Sequence, residues 1–300
     1  MLYSIFSSSF VESIILNKSP SHFRWFVIGI SFIAIFFSYL DRNALSFAIR
    51  PLEQQFHLNN EDFGMIAAAF GVGYFIFTAI GGFLADHYGS RRIWTLCAFF
   101  WSIMCMMFGG VGSFFALFTL RLMLGVAESP TFPCFVRAAT NWLPDVERGR
   151  ALALGLIAVP LSSAIGSPVL SLLVTYIGWR WMFVFLGLAT LIWAFCWYWQ
   201  YRDSPAESAY ISAEELDYIR KNQHLDAGAA LPKFEWRSVL TNPTLISNNY
   251  AFFCFGYLLF FGSAWLPGYL IQTYHIALNK AGFLLSVPWF TATVLVLIGG

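Results

Sequence analysis

FVIGISFIAIFFSYLDRN, residues 26–43, decides how the chain is read. A nearly unbroken apolar run ends on an acid and a base, Asp41 and Arg42, and the apolar pattern then resumes through Ala48. A helix needs about 20 mostly apolar residues to cross the hydrocarbon, because lipid offers the backbone no hydrogen-bond partners and the helix must supply its own. Residues 24–48 meet that length, and so do seven more stretches near 62–85, 92–112, 114–136, 150–174, 179–199, 245–273 and 280–300. The expectation is an all-α integral membrane protein with charges inside its first span.

Composition agrees. Of the 300 residues, 58% are hydrophobic, 19% aromatic and 11% charged, where ordinary soluble domains carry about 25% charged residues. A water-soluble fold is excluded, and a net charge of +1 offers no basic surface to nucleic acid. Cys97, Cys105, Cys134, Cys196 and Cys254 lie in apolar stretches without CxxC or Cys/His spacing, so they read as small fillers and no metal site is expected. The sequence holds neither a GxSxG elbow nor a GxxxxGK[ST] loop, and an enzyme is not expected. Residues 1–20 have no cationic start and no small-residue cleavage site, which implies insertion through uncleaved helices.

One long polar segment, residues 200–243, separates six spans from the last two. It contains SAEELDYIRKN, where Ser212 is placed to cap a short amphipathic helix with Glu215 at the capping-box position. This divides the chain into a six-helix bundle over 1–200, a linker over 201–243 and the start of a second bundle over 244–300. Lys and Arg are retained on the cytoplasmic side during insertion. With the N-terminus inside, twelve of the 17 fall on that side, Lys18, Lys233 and Arg237 among them, and only Arg50, Arg180 and Lys280 on the other. A multi-pass protein of the cell (inner or plasma) membrane with a cytoplasmic N-terminus is expected. Arg42 and Arg121 are left over, and both lie within spans.

Two acids accompany those arginines: Asp41 in the first span and Glu128 in the fourth, within RLMLGVAESPTFP. Each charge at mid-span costs about 2.5–3.5 kcal/mol, so four unpaired ones would cost roughly 10–14 kcal/mol. Opposite charges about 4 Å apart gain about 4 kcal/mol at an effective dielectric of about 20. Arg121, Gly125 and Glu128 share one helix face, with the two ends about 10 Å apart along the axis, so Glu128 can take a different partner, and Arg42 is a candidate. A structural ion-pair network joining the first and fourth spans would account for these charges without any aqueous path. A functional site accounts for them too: Arg42 offers its guanidinium fork to a carboxylate, and Asp41 and Glu128 exchange protons in a shared, intermittently hydrated chamber. Tyr39, Asn43 and Tyr74 are polar neighbours placed to line it.

GGFLADHYGSRR, residues 81–92, resembles the G-x-x-x-D-[RK]-x-G-x-[RK]-[RK] loop of the major facilitator superfamily through Gly82, Asp86, Gly89, Arg91 and Arg92. RLMLGVAESPTFPCFVRAATNWLPDVERGRALALG, GWRWMFVFLG and RDSPAES are similar to the anion:cation symporter family within it, and the likeness covers about residues 22–300. The resemblance implies a major facilitator type helical bundle, with six N-terminal helices plus the first two of a C-terminal bundle, as in a piece of a longer chain. It also implies that residues 82, 86, 89, 91 and 92 form a gate. His87 stands where the family usually has a basic residue, which implies a weaker gate contact at neutral pH.

By the same resemblance Arg42 holds the substrate's anionic group, Tyr39 and Tyr74 contact it, Asp41 and Glu128 carry protons, and Arg121 tunes Glu128. The implied function is a secondary active transporter that imports a small organic anion by proton symport through alternating access. The anion would be a sugar acid such as a hexuronate or aldonate, or another carboxylate. The proton is the coupling ion and no cofactor is needed; a monomer in the lipid bilayer is expected. A sodium-coupled or facilitative anion carrier of the same fold, and a truncated membrane protein that transports nothing, are the alternatives. Two departures bear on substrate: Val159-Pro160 replaces the polar side chain of sugar-acid carriers, with Ser162 and Ser163 nearest, and FFCFGYLLFFGSAWLP lacks the arginine of the vesicular glutamate branch. Asn248, Asn249, Tyr257 and Trp265 remain there as candidates, and an aromatic-lined pocket implies a less polyhydroxylated anion.

Overall fold

The computed structural model describes residues 22–223 and 241–299, all of whose regular elements are helical. Lys18, Lys233, Arg237, the remainder of the linker over 224–240 and the segment 1–20 lie outside the described residues. The helices are α1 (Phe23–Phe47), α2 (Ile49–Phe56), α3 (Asn60–Tyr88), α4 (Ser90–Phe108), α5 (Phe114–Glu128), α6 (Thr131–Trp142), α7 (Asp145–Gln200), α8 (Ala213–Lys221), α9 (Pro243–Tyr274) and α10 (Leu278–Gly299). Five of them, α1, α3, α7, α9 and α10, are each long and apolar enough to cross a membrane.

All eight predicted spans are helical, with two differences in where they break. The fourth is divided into α5 and α6 at Ser129-Pro130 and runs on to Trp142, because a proline has no N–H to donate and its ring clashes with the preceding turn. The fifth and sixth are joined as α7, with Gly178 alone (φ 81°, ψ 158°) making the turn, a backbone conformation that glycine adopts without steric cost. The chain reverses there: Trp179 lies beside Phe56, and Trp193 Nε1 donates to the Ile30 carbonyl, back along α1.

Close helix contact needs small residues. A Cβ on Gly73 would meet the Leu122 carbonyl, and one on Gly125 would meet the Phe70 carbonyl, so α3 and α5 touch backbone to backbone. At one end of the bundle Trp193, Trp197 and Tyr201 stack in turn and Trp94 packs obliquely on the two tryptophans, with centroids 4.0–5.5 Å apart.

The same end is closed by the segment after α7. Neither α1 nor α4 has a side-chain N-cap of its own. Glu215 of α8 accepts from the backbone N–H groups of Phe23 and Arg24, each at 3.2 Å, and Asp203 accepts from Arg91 N at 3.2 Å. Acids from the segment after α7 thus satisfy donors that helix starts leave free. Gln223 Nε2 donates to the carbonyls of Thr140, Asn141 and Leu143 at the end of α6. Ser212 Oγ accepts from Glu215 N at 3.2 Å, as the sequence predicts for the start of α8.

Candidate functional site

α1 presents Ser38, Tyr39, Asp41, Arg42 and Asn43 within two turns, and successive residues point about 100° apart. Arg42 therefore enters the space between α3 and α5. Its Nε donates to Glu128 Oε2 at 3.0 Å and its Nη2 to Ser38 Oγ at 3.1 Å, while Ser38 Oγ donates to the same Glu128 oxygen at 2.7 Å. Glu128 is fully buried. The guanidinium lies 4.4 Å from the ring centroids of both Tyr39 and Tyr74 and 4.9 Å from that of Phe70. Such rings attract a cation through their faces and leave its edge for oxygen acceptors.

Asp41 points the other way. Its Oδ2 accepts from Trp101 Nε1 of α4 at 2.5 Å. Arg121 Nη2 donates to the Arg42 backbone carbonyl at 3.0 Å. Asn43 Nδ2 donates to Ser163 Oγ at 2.9 Å, tying α1 to α7. Asp41 Oδ1, Glu128 Oε1, and Nε and Nη1 of Arg121 have no hydrogen-bond partner among the described residues.

The four predicted intramembrane ions therefore come together without forming one mutual quartet. Glu128 takes Arg42, Asp41 takes an indole, and Arg121 takes a carbonyl. The cavity beside Arg42, about 30 Å³, is lined by groups that include Asn43, Ser46, Phe70, Arg121 and Ser263, with neither Asp41 nor Glu128 on its wall. That corrects the expectation of one chamber shared by all four ions, since neighbouring side chains on a helix diverge. Its size suits water rather than a carboxylate.

The predicted gate lies at the Trp-rich end, with Gly89 about 22 Å along α3 from Tyr74. Asp86 Oδ1 accepts from Arg137 Nη1 of α6 at 2.9 Å. Of the two arginines in the turn, Arg91 lies over Tyr198, 4.4 Å from its centroid, and donates to its carbonyl, and Arg92 is exposed. His87 stacks on Phe83. A Cβ on Gly82 would lie 3.6 Å from the Pro133 side chain, and Gly89 (φ 86°) turns where a Cβ would strike the Asp203 carboxylate.

Ser38, Phe70 and Trp101 were not among the predicted site residues. Ser38 carried a signal, since it stands one turn before Arg42 on the same face. Trp101 carried none, because a tryptophan in a span ordinarily reads as packing. In α9, Trp265 packs on Phe63 with centroids 5.3 Å apart, whereas Asn248, Asn249 and Tyr257 are exposed.

The family model described as Major Facilitator Superfamily matches residues 31–300. A probable sulfoacetate transporter of Cupriavidus necator is 28% identical over 92% of this chain and 64% of its own length. A probable galactarate/D-glucarate transporter of Bacillus subtilis is 32% identical over 88% of this chain and 61% of its own. The chain thus spans somewhat under two thirds of these relatives. A crystal structure of a bacterial homologue of the human lysosomal transporter Spinster, inward-facing and unoccupied, superposes with a TM-score of 0.71 at 19% identity, covering 90% of this chain and 60% of the other, and shows the shared fold. With its helical bundle and the 270-residue match of that family model, the chain belongs to the Major Facilitator Superfamily.

Proposed function

We propose that the protein is a proton-coupled importer of a small organic anion, a sugar acid or another carboxylate, working by alternating access. The observation that carries this reading is the Arg42–Glu128 pair: the guanidinium that suits a carboxylate is occupied by a carboxylate of the protein. An ionised Glu128 competes with the substrate for Arg42, and a proton on Glu128 frees that edge. Anion and proton then load together, and release of one favours release of the other. Tyr39 and Tyr74 orient the guanidinium, Asn43 lines the adjoining cavity, Arg121 biases the charge on Glu128, and Asp41 is a second proton-carrying group. The turn holding Gly82, Asp86, Gly89, Arg91 and Arg92 acts as the inner gate.

The relatives named for sugar acids and sulfoacetate support the substrate class. Midplane binding between two rocking bundles fits the fold. In this reading the protein sits as a monomer in the cell membrane with its N-terminus and arginine-rich end in the cytoplasm, and needs no cofactor besides the proton.

Uptake by the full chain in proteoliposomes under an imposed pH gradient tests the proposal. Arg42→Ala is expected to abolish anion binding, and Glu128→Gln to keep exchange while losing gradient-driven accumulation. Undiminished gradient-driven uptake in both variants overturns the site assignment, and uptake that follows a sodium gradient instead overturns the coupling ion.

A further inference from the structure

Asp41 and Arg42 are chain neighbours with separate surroundings. Arg42 borders the cavity between α1, α3, α5 and α9, whereas Asp41 faces α4, which contributes no residue to that cavity. The carboxyl and the indole that binds it, Trp101, are each only 1% exposed. Cys105, one turn beyond Trp101 on α4, stands beside the same carboxyl, and Arg121 and Glu128 are close enough to act on it electrostatically. The indole N–H is the hydrogen-bond donor that reaches Asp41 Oδ2, and Oδ1 has no partner among the described residues.

An indole can donate but not accept, so the contact favours the carboxylate with an oxygen free to receive it. In a buried place a carboxylate without donors is costly. Turned toward α4, Asp41 also leaves Arg42 to Glu128 or to substrate. We propose that Trp101 is a positioning residue of the transport cycle, its N–H holding ionised Asp41 against α4 so that this carboxyl releases its proton on every turnover. The proposal rests on the reading of Asp41 as a proton-carrying group. Net accumulation needs that release once per cycle. Exchange of substrate between loaded carriers does not.

The test uses the full chain in proteoliposomes and two replacements at position 101. Trp101→Phe removes the N–H together with one ring, and a benzothiophene analogue of tryptophan removes the N–H alone while keeping the ring shape, so a folding defect in the first leaves the second to decide. Gradient-driven uptake is expected to fall about tenfold or more, the scale of one charge-assisted hydrogen bond. KM and exchange at equal pH on both sides should stay within about twofold of the parent, because the substrate contacts are untouched. Unchanged gradient-driven uptake overturns the role of Trp101, and so does a fall in which exchange declines equally. Asp41→Asn separates the two ideas. Intact gradient-driven uptake in Asp41→Asn overturns the reading of Asp41 itself, whereas loss there with full activity in both position-101 variants overturns only the part given to Trp101.

Discussion

Arg42 combines two demands that only one residue type meets. Its edge serves Glu128 and Ser38 while its flat face lies against Tyr39, Tyr74 and Phe70. A lysine keeps the charge and loses both the planar fork and the stacking. Arg42→Lys is therefore expected to weaken anion binding about tenfold or more, read as a lost thermal shift with added carboxylates, while the ligand-free melting temperature changes little. Gly125 answers a different need. A Cβ there would meet the Phe70 carbonyl, and the helix backbones would have to part. Gly125→Ala is expected to cost about 1–3 kcal/mol, seen as a lower melting temperature in detergent, whereas Gly112→Ala, which has nothing within 4 Å of the new atom, is expected to leave it unchanged.

At the scale of elements, α8 works as a cap for helices distant in sequence. Glu215 satisfies the start of α1 through Phe23 and Arg24, and the Arg24 side chain bridges Glu215 at 2.8 Å and Glu147 at 2.9 Å. Removing one partner of a buried pair costs about 3–5 kcal/mol because the other is left alone in a dry place. Glu215→Ala is accordingly expected to lower the melting temperature strongly, with Glu215→Gln intermediate, since an amide oxygen still accepts from the α1 backbone. The helices themselves were legible because span length and hydropathy are local properties, and the sequence placed α8 correctly from Ser212 and the pattern after it. The Glu215–Arg24 pair was not legible: the two are 191 residues apart, and a Glu at that position reads as a local cap. Asp41 facing Trp101 escaped for a related reason. Which side of α4 meets α1 depends on helix rotation, and an evenly apolar span carries no mark of its inward face. Arg42 meeting Glu128 was readable because lipid leaves a buried charge so few alternatives.

Across the whole molecule, α9 meets the first six spans near one end, while α10 packs along α7, with Ser286, Phe290 and Thr291 sharing a groove with Leu161 and Ala164. Ser46 Oγ donates to the Ser263 carbonyl, Trp265 packs on Phe63, Gly268 approaches Ile49, and Gly282 lies against Ser167 and Ser171. At the other end, residues 243–253, the first part of α9, are all exposed. The closed end is the one that carries Glu53 on α2, whose two carboxylate oxygens each accept from Gln272 Nε2 at 3.4 Å. Burial raises the Glu53 carboxyl above its ordinary value, with Arg50 and the Gln272 hydrogen bond pulling it partly back. When that end opens, Glu53 regains water and its ordinary value, so the closed state is the one that binds the proton more tightly. The contribution of this group to closure is then complete below the ordinary carboxylate value of 4.5 and is lost as pH rises through the raised value. Spin labels at the exposed positions Gln54 and Tyr274 would report it. Acidification from about pH 7 to about pH 5 is expected to enlarge the short-distance population in the parent protein, and Glu53→Gln, which is neutral throughout, is expected to hold that population high and insensitive to pH. An equal pH response in both proteins would place the sensor elsewhere, and Glu53 would then be a packing residue of the closed end.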